Sequence, residues 1–254
     1  MRIISWNVNS VRARLEHILD VARQYRPDIF LLQETRVEDR AFPLEYFEEL
    51  GYNAAINGQK SRNGVAIFSK HRLEDVDCHL DGCSEARYLA AFTGGISVAS
   101  VYVPNGQEVN CEQYTYKLEF LRNLKNKFSA FLDEVFVAGG DFNVAPEKCD
   151  CHNPNYSAIM ATESERNLIK ALVEAGFNDI LAKNGFTWWD YRRSDSLRND
   201  KGFRIDHFYA SPAATEIFQT GEVLRFAREL ARPSDHAPIL CDLSDYGKKR
   251  GSTP

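Results

Sequence analysis

Polar residues close a series of short apolar runs in this sequence. Asn7 follows Ile3–Trp6, Gln33-Glu34-Thr35 follows Ile29–Leu32, and Tyr102-Val103-Pro104-Asn105 ends a run that starts at Ser97. Gly139-Gly140-Asp141-Phe142-Asn143 follows Val135–Ala138, Asp206 lies inside Ile205–Ala210, and Ser234-Asp235-His236-Ala237-Pro238 precedes Ile239–Leu243. Singly, an Asp or Asn in such a place is an ordinary turn former, and His236 an ordinary core histidine. Asp206 is harder to dismiss, because a carboxylate in an apolar strand needs a partner. Together, Glu34, Asp141, Asp206 and Asp235, the amides of Asn7 and Asn143, the Tyr102 phenol and the His236 imidazole suit phosphodiester hydrolysis. Oxygen ligands hold a hard Mg²⁺, with Mn²⁺ as a substitute, which neutralises the phosphate and the leaving oxyanion. A carboxylate aligns and deprotonates the attacking water. Imidazole and amide donors stabilise charge on the pentacovalent phosphate. There is no Walker loop, GxSxG or GxGxxG to serve another chemistry.

Rigid elements must hold these groups. The runs Ile3–Trp6, Ile29–Leu32, Val65–Phe68, Ser97–Val103, Val135–Ala138, Ile205–Ala210 and Ile239–Leu243 are rich in β-branched residues and read as strands. Helical stripes lie between them. Val11, Leu15, Ile18, Leu19 and Ala22 follow Ser10, a candidate N-cap, and Leu121, Leu124, Phe128, Phe131 and Leu132 form a second stripe. A third helix begins at Thr162, whose capping box closes on Glu165, and stops at Gly176 as C′. Strands outnumber helices and adjoin one another. That predicts a mixed α/β (α+β) chain of two packed sheets flanked by helices rather than a doubly wound parallel sheet. No repeat or linker divides the chain, so one catalytic domain is expected over 1–245, with a polar tail at 246–254.

The 254 residues are 44% hydrophobic and 26% charged, which excludes a largely disordered chain. A net charge of −5 argues against coating nucleic acid through bulk positive charge. The charge is uneven, however. Met1–Arg26 carries five basic and two acidic residues, whereas Glu38–Leu50 carries five acidic and one basic. Arg12, Arg14, Arg36, Lys60 and Arg62 neighbour the early motifs, Arg192, Arg193, Arg198, Lys201 and Arg204 precede Asp206, and Arg225, Arg228 and Arg232 precede Asp235. Part of that set is an ordinary solvated face, and the rest suits phosphate contacts without sequence reading. The six cysteines form no CxxC pair, and the Cys149/Cys151 spacing is wrong for structural zinc. No stretch resembles a signal peptide or a membrane span, so a cytoplasmic, bacterial-type protein without membrane contact is expected, with monomer as the default.

The segments Ser5-Trp6-Asn7-Val8-Asn9, Leu32-Gln33-Glu34-Thr35, Tyr102-Val103-Pro104-Asn105-Gly106, Gly140-Asp141-Phe142-Asn143-Val144-Ala145-Pro146, Phe203-Arg204-Ile205-Asp206-His207 and Pro233-Ser234-Asp235-His236-Ala237-Pro238 occur in order. In this the chain resembles the exonuclease III family of apurinic/apyrimidinic endonucleases, within the endonuclease/exonuclease/phosphatase superfamily, from residue 1 to about 243. Any one motif is weak, and all six in order are strong. The resemblance implies a four-layered α/β sandwich and a Mg²⁺-dependent DNA repair hydrolase. Such an enzyme cuts 5′ to abasic sites in double-stranded DNA and trims 3′ ends. It also implies that Glu34 is the principal metal ligand, with Asn7 and Asp235 near the same ion. Asp141 would activate the water, Asn143 would contact the phosphate, and Asp206 would orient His236 onto a phosphate oxygen. Tyr102 would contact the phosphate or leaving oxygen, with Asn9 and Asn105 in support.

Substrate choice is expected in Phe186-Thr187-Trp188-Trp189-Asp190-Tyr191-Arg192-Arg193. By resemblance, Trp188 and Phe203, with Ile205 beside them, wall a pocket for a flipped-out baseless sugar, whose extrusion avoids much unstacking cost. Trp189 is expected in the core. Arg12, Arg36 and Arg192 are candidate DNA contacts. The sequence departs from relatives by lacking an inserted arginine after Asn105 and an aromatic before Gly64; Arg62, Arg192 or Arg193 would replace such contacts. Two other readings compete: a phosphatase or phosphodiesterase of the same fold acting on a non-DNA substrate, and a non-catalytic nucleic-acid-binding regulator. The intact Glu34 and Asp235-His236 pair speak against the latter.

Overall fold

The computed structural model describes residues 1–181, 185–192 and 195–244; the expected tail at 246–254 and Arg193 lie outside them. One sheet runs β11 (Phe218–Val223), β12 (Ile239–Leu243), β1 (Arg2–Asn7), β2 (Ile29–Gln33), β4 (Val65–Ser69), β3 (Asn53–Asn57). The other runs β5 (Glu74–Asp77), β6 (Tyr88–Thr93), β7 (Ile96–Tyr102), β8 (Phe136–Asp141), β10 (Asp206–Ala210), β9 (Asn178–Asp179). Each contains a single parallel pair, β1 with β2 and β7 with β8, flanked by antiparallel neighbours. The two sheets therefore share one pairing pattern and are both mixed, as expected.

Alternation along the strands builds the layers. In β2, Ile29 and Leu31 face the space between the sheets, where they meet Val98, Val137 and Phe208. Phe30 and Leu32 face outward and, with Trp6, pack against Ile18 and Val21 of α1 (Leu15–Tyr25). Covered on both faces, β2 is apolar at every position up to Gln33, the pattern of a doubly buried strand. On the outer side of the second sheet, Phe120, Leu124 and Phe128 of α3 (Glu112–Phe128) and Ile169 and Leu172 of α4 (Glu163–Glu174) cover Val101, Phe136 and Ala138. The result is helix, sheet, sheet, helix. A short α2 (Glu45–Glu49) and α5 (Pro212–Ile217) are the other α-helices among the described residues.

Local signals succeed where local chemistry decides. Thr162 and Glu165 form the reciprocal capping box of α4. Gly176, at φ +111°, ends that helix: its N–H bonds Val173 O at 2.9 Å, and that of Phe177 bonds Leu172 O at 3.3 Å. Ser10 is different. It takes φ 91°, Arg14 precedes the first helical residue, and α1 has no side-chain cap. The reason is that Val8, Ser10 and Val11 bond the carbonyls of Gln33, Glu34 and Thr35, which prolongs the pairing of β1 with β2 beyond the strands. The second stripe also divides: α3 stops at Phe128, and Phe131 belongs to a 3₁₀ turn that stacks on Phe136 at 4.4 Å. The strands the sequence reading leaves out are β3, β5, β9 and β11, all sheet edges, and β6, whose Tyr88–Phe92 run is apolar and mostly buried.

Candidate active site

The two parallel pairs point their carboxyl ends to one edge of the sandwich. Asn7 and Gln33 are register partners at the ends of β1 and β2, as are Tyr102 and Asp141 at the ends of β7 and β8. Asp206, the first residue of β10 rather than an interior one, pairs with Asp141. His236 stands just before β12 and bridges to Trp188. The backbone is strained around this edge: Asn9, Glu34, Arg36 and Asn143 all take positive φ, between 46° and 55°. Such left-handed residues persist only where surrounding bonds over-determine them. Close packing is also enforced, since a Cβ on Gly140 would lie 2.0 Å from Val101 O, and one on Gly64 2.2 Å from Thr35 Oγ1.

Hydrogen bonds and one close ion contact join the polar groups. The Asn7 Nδ2 amide donates to Glu34 Oε1 at 3.0 Å and to Asp141 Oδ2 at 2.9 Å. Its oxygen accepts from the Asn9 backbone N–H at 3.1 Å, which fixes the amide's orientation. Asp141 Oδ1 accepts from the Asn143 N–H at 2.9 Å, and Oδ2 accepts from Asn143 Nδ2 at 3.2 Å. Asn105 Nδ2 donates to Asn143 Oδ1 at 3.2 Å. On the other side His236 Nε2 lies 3.6 Å from Asp141 Oδ2, while Nδ1 meets Asp206 Oδ2 at 2.9 Å. The Thr187 hydroxyl donates to that same Asp206 oxygen at 2.6 Å and accepts the Ile205 and Asp206 N–H groups. Asp235 is held at Oδ1 by Asn9 Nδ2 (2.9 Å) and at Oδ2 by Trp188 Nε1 (3.0 Å).

Burial and charge set the proton states. Burial pushes the Asp141 carboxyl well above its usual range, the nearby Asp206 and Glu34 add to this, and His236 opposes it. Burial alone would lower His236, but the Asp206 and Asp141 carboxylates overcome it and raise the imidazole to about 10. Tyr102 is also driven up, by burial and then by Glu34 and Asp141, so its phenol stays a donor. Burial would raise Asp235, yet His236, Trp188 and Asn9 hold it low.

These groups open onto a cavity of about 500 Å³ lined by Glu34, Tyr102, Asn105, Asp141, Asn143, Trp188, Arg192, Phe203, Ile205, Asp235 and His236. Asn7, Asn9 and Asp206 lie buried behind that surface. Trp188 and Phe203 stand 5.9 Å apart, with Tyr156 and His152 edge-on to Phe203 at 5.0 and 5.2 Å. Trp189 is fully buried. Arg36 is bonded to Glu34 Oε2, and Arg192 to Asp190, at the cavity rim. Arg12 is not brought to the cavity; it donates to Ala41 O at 2.7 Å.

Sequence reasoning missed Thr187, although the segment containing it was singled out. It also missed Arg87, whose guanidinium lies 4.6 Å from the Tyr102 ring and which has no motif to mark it.

The donor set suits a hard cation. Glu34 and Asp235 line the cavity with carboxylate oxygens, the donors Mg²⁺ and Mn²⁺ prefer, and Glu34 and Asp141 flank the Asn7 amide nitrogen. Asn7 offers them nitrogen, so in this arrangement it orients the carboxylates. Asp141, Asp206 and His236 also offer ligand atoms within 4.8 Å of one another and could hold a metal ion. In that group His236 Nδ1 is hydrogen-bonded to Asp206, and Nε2 lies 3.6 Å from Asp141 Oδ2. No helix among the described residues is long and apolar enough to cross a membrane.

The model of the endonuclease/exonuclease/phosphatase family matches residues 4–236. An AP endonuclease from Archaeoglobus fulgidus superposes with a TM-score of 0.93 at 34% identity, over 96% of this chain and 99% of that one. A 3′ phosphatase from Neisseria, solved with a product DNA hairpin, gives 0.93 at 32% identity over 96% and 99%. Exodeoxyribonuclease III of Haemophilus influenzae is 29% identical over 95% of this chain and 99% of its own length.

Proposed function

The chain belongs to the endonuclease/exonuclease/phosphatase family, and from that premise we propose that it is a divalent-cation-dependent DNA repair nuclease of the exodeoxyribonuclease III kind. It cleaves the phosphodiester 5′ to abasic sites in duplex DNA and trims 3′ ends. Residues 1–245 work as one catalytic unit. The observation that carries this is the run of hydrogen bonds from Glu34 through Asn7 to Asp141, continued by the 3.6 Å Asp141–His236 contact to the His236–Asp206 pair, opening into an aromatic-walled cavity.

Asp141 is the water-positioning base. Three donors from Asn7 and Asn143 fix its carboxylate, and its raised pKa improves it as a proton acceptor near neutrality. His236, kept protonated by Asp206, donates to a non-bridging phosphate oxygen, and the Asn143 amide stabilises the same charge. The Tyr102 phenol, protonated and set against Arg87, contacts the phosphate or the leaving oxygen. Glu34 and Asp235, with Asn7 orienting Glu34, would hold Mg²⁺ or Mn²⁺, which supplies charge neutralisation at the phosphate and leaving group. Trp188, Phe203 and Ile205 accept a sugar without a base. Asn9, Asn105, Arg36 and Arg192 shape the rim, and Arg12 meets the duplex backbone further out.

The test is incision of a duplex carrying one abasic site, with Mg²⁺, with EDTA, and on an undamaged control. Asp141→Asn should bind the duplex and lose most turnover. Near wild-type cleavage by that variant, or by the EDTA-treated protein, would overturn the mechanism. Hydrolysis of a non-DNA phosphodiester in place of the abasic duplex would redirect the substrate.

A further inference from the structure

Behind the Asn105–Asn143 pair lies an ion pair that no step above uses. Lys117, on α3, and Glu165, on α4, are both fully buried. An ammonium carries three protons, and all three are committed: to Asn105 O at 3.2 Å, to Asn143 O at 2.7 Å, and to Glu165 Oε1. Glu165 is likewise saturated. Its oxygens accept the Met160 and Thr162 N–H groups and the Thr162 hydroxyl. That leaves the Tyr114 hydroxyl, 2.7 Å from Thr162 Oγ1, as the donor to it.

We propose that Lys117 is a positioning residue for the reaction: its ammonium pins the carbonyls of two cavity loops and so aims the Asn143 amide. Asn143 is left-handed at φ 51°; its side-chain amide donates to Val103 O at 2.9 Å and to Asp141 Oδ2 at 3.2 Å while its oxygen takes the Asn105 amide, a geometry that depends on where its backbone is held. Its N–H is tied to Asp141 and its C=O to Lys117, so both ends of a strained residue are fixed. Without the ammonium, the buried carbonyl of Asn143 and the part-buried carbonyl of Asn105 each have one donor fewer, and the Asn143 loop must move to regain one. Because the pair spans α3 and α4, the outer helical layer is bonded directly to the catalytic edge.

The proposal rests on the nuclease reading, so the experiment separates the two. Lys117→Met removes the charge at similar volume, and Lys117→Met/Glu165→Gln also removes the stranded carboxylate. The single variant should melt lower and the double should recover part of that loss. In both, kcat on abasic duplex should fall about ten- to a hundredfold, the scale for a misplaced oxyanion donor, with KM changed less than threefold. In an Asn143→Ala background, Lys117→Met should cost little more, since the two act in series. Recovery of kcat together with melting temperature, or additive losses with Asn143→Ala, would overturn the proposal. NMR of the Asn143 side-chain amide in the DNA-free protein reads positioning independently of activity. A shifted or broadened signal in Lys117→Met supports it and an unchanged one overturns it, even were the wild type to leave DNA uncut.

Discussion

Trp188 donates its indole N–H to Asp235, so the wall of the substrate cavity is bonded to a carboxylate proposed to face the metal. Fit of the sugar against the indole and placement of Asp235 are therefore one adjustment. Trp188→Phe keeps an aromatic wall and deletes the bond. Single-turnover incision of abasic duplex should fall about tenfold, the worth of a hydrogen bond to a charged group, while preference over undamaged duplex is retained. Trp188→Ala should lose both.

Asp206 fixes the charge of His236. With the imidazole raised to about 10, the protonated form persists through neutrality. In Asp206→Asn its pKa should drop toward or below the ordinary 6.5, and the alkaline limb of kcat/KM should move down into the neutral range. Stability follows the same group. A raised pKa contributes stability fully present below 6.5 and lost as the pH climbs toward 10. Imidazole resonances followed by NMR titration in both proteins check the assignment.

Arg36 occupies the Glu34 carboxylate and competes with any cation for it. Arg36→Gln should bind Mn²⁺ about fivefold tighter in the absence of DNA, in line with a partly exposed ion pair. Glu34→Gln should bind it more weakly. Titration calorimetry or Mn²⁺ resonance spectroscopy distinguishes these from a variant with unchanged affinity, which would remove Arg36 from the competition.

Asp179 provides an acid-side test away from the cavity. Burial would raise its pKa, yet His207 and Arg204 hold it at about 2. Its contribution of about 2 kcal/mol should be present above the ordinary 3.8 and vanish as pH falls through 2. Urea unfolding of Asp179→Asn should show a shallower loss over that window.

The polar ends of the strands were legible because each motif is local, and a sheet edge converts separate strand ends into neighbours. Asp141 and Asp206 are register partners although sixty-four residues of sequence separate them. Edge strands were not legible. β5 is exposed at three of its four residues, and a half-solvated strand carries no apolar run to find. Ser10 misled for the opposite reason: a good capping residue was overridden by pairing of the 8–11 segment with the end of β2. Thr187, Arg87 and Lys117 act on backbone or on other side chains from outside the motifs, and spacing in one dimension does not encode such support.

The position of β12 between β1 and β11 has a consequence for the newborn chain. β1 is made long before β12, and the Trp6 indole waits for a carbonyl at His236, 230 residues later. Until then one side of β1 lacks its neighbour, and Asp235 and His236 do not exist as part of any cavity. A ribosome-bound fragment that ends between Asp141 and His236 thus holds Glu34 and Asp141 without the imidazole. The cell is spared a half-built nuclease, at the cost of an open sheet edge that must be shielded until translation reaches the closing strand.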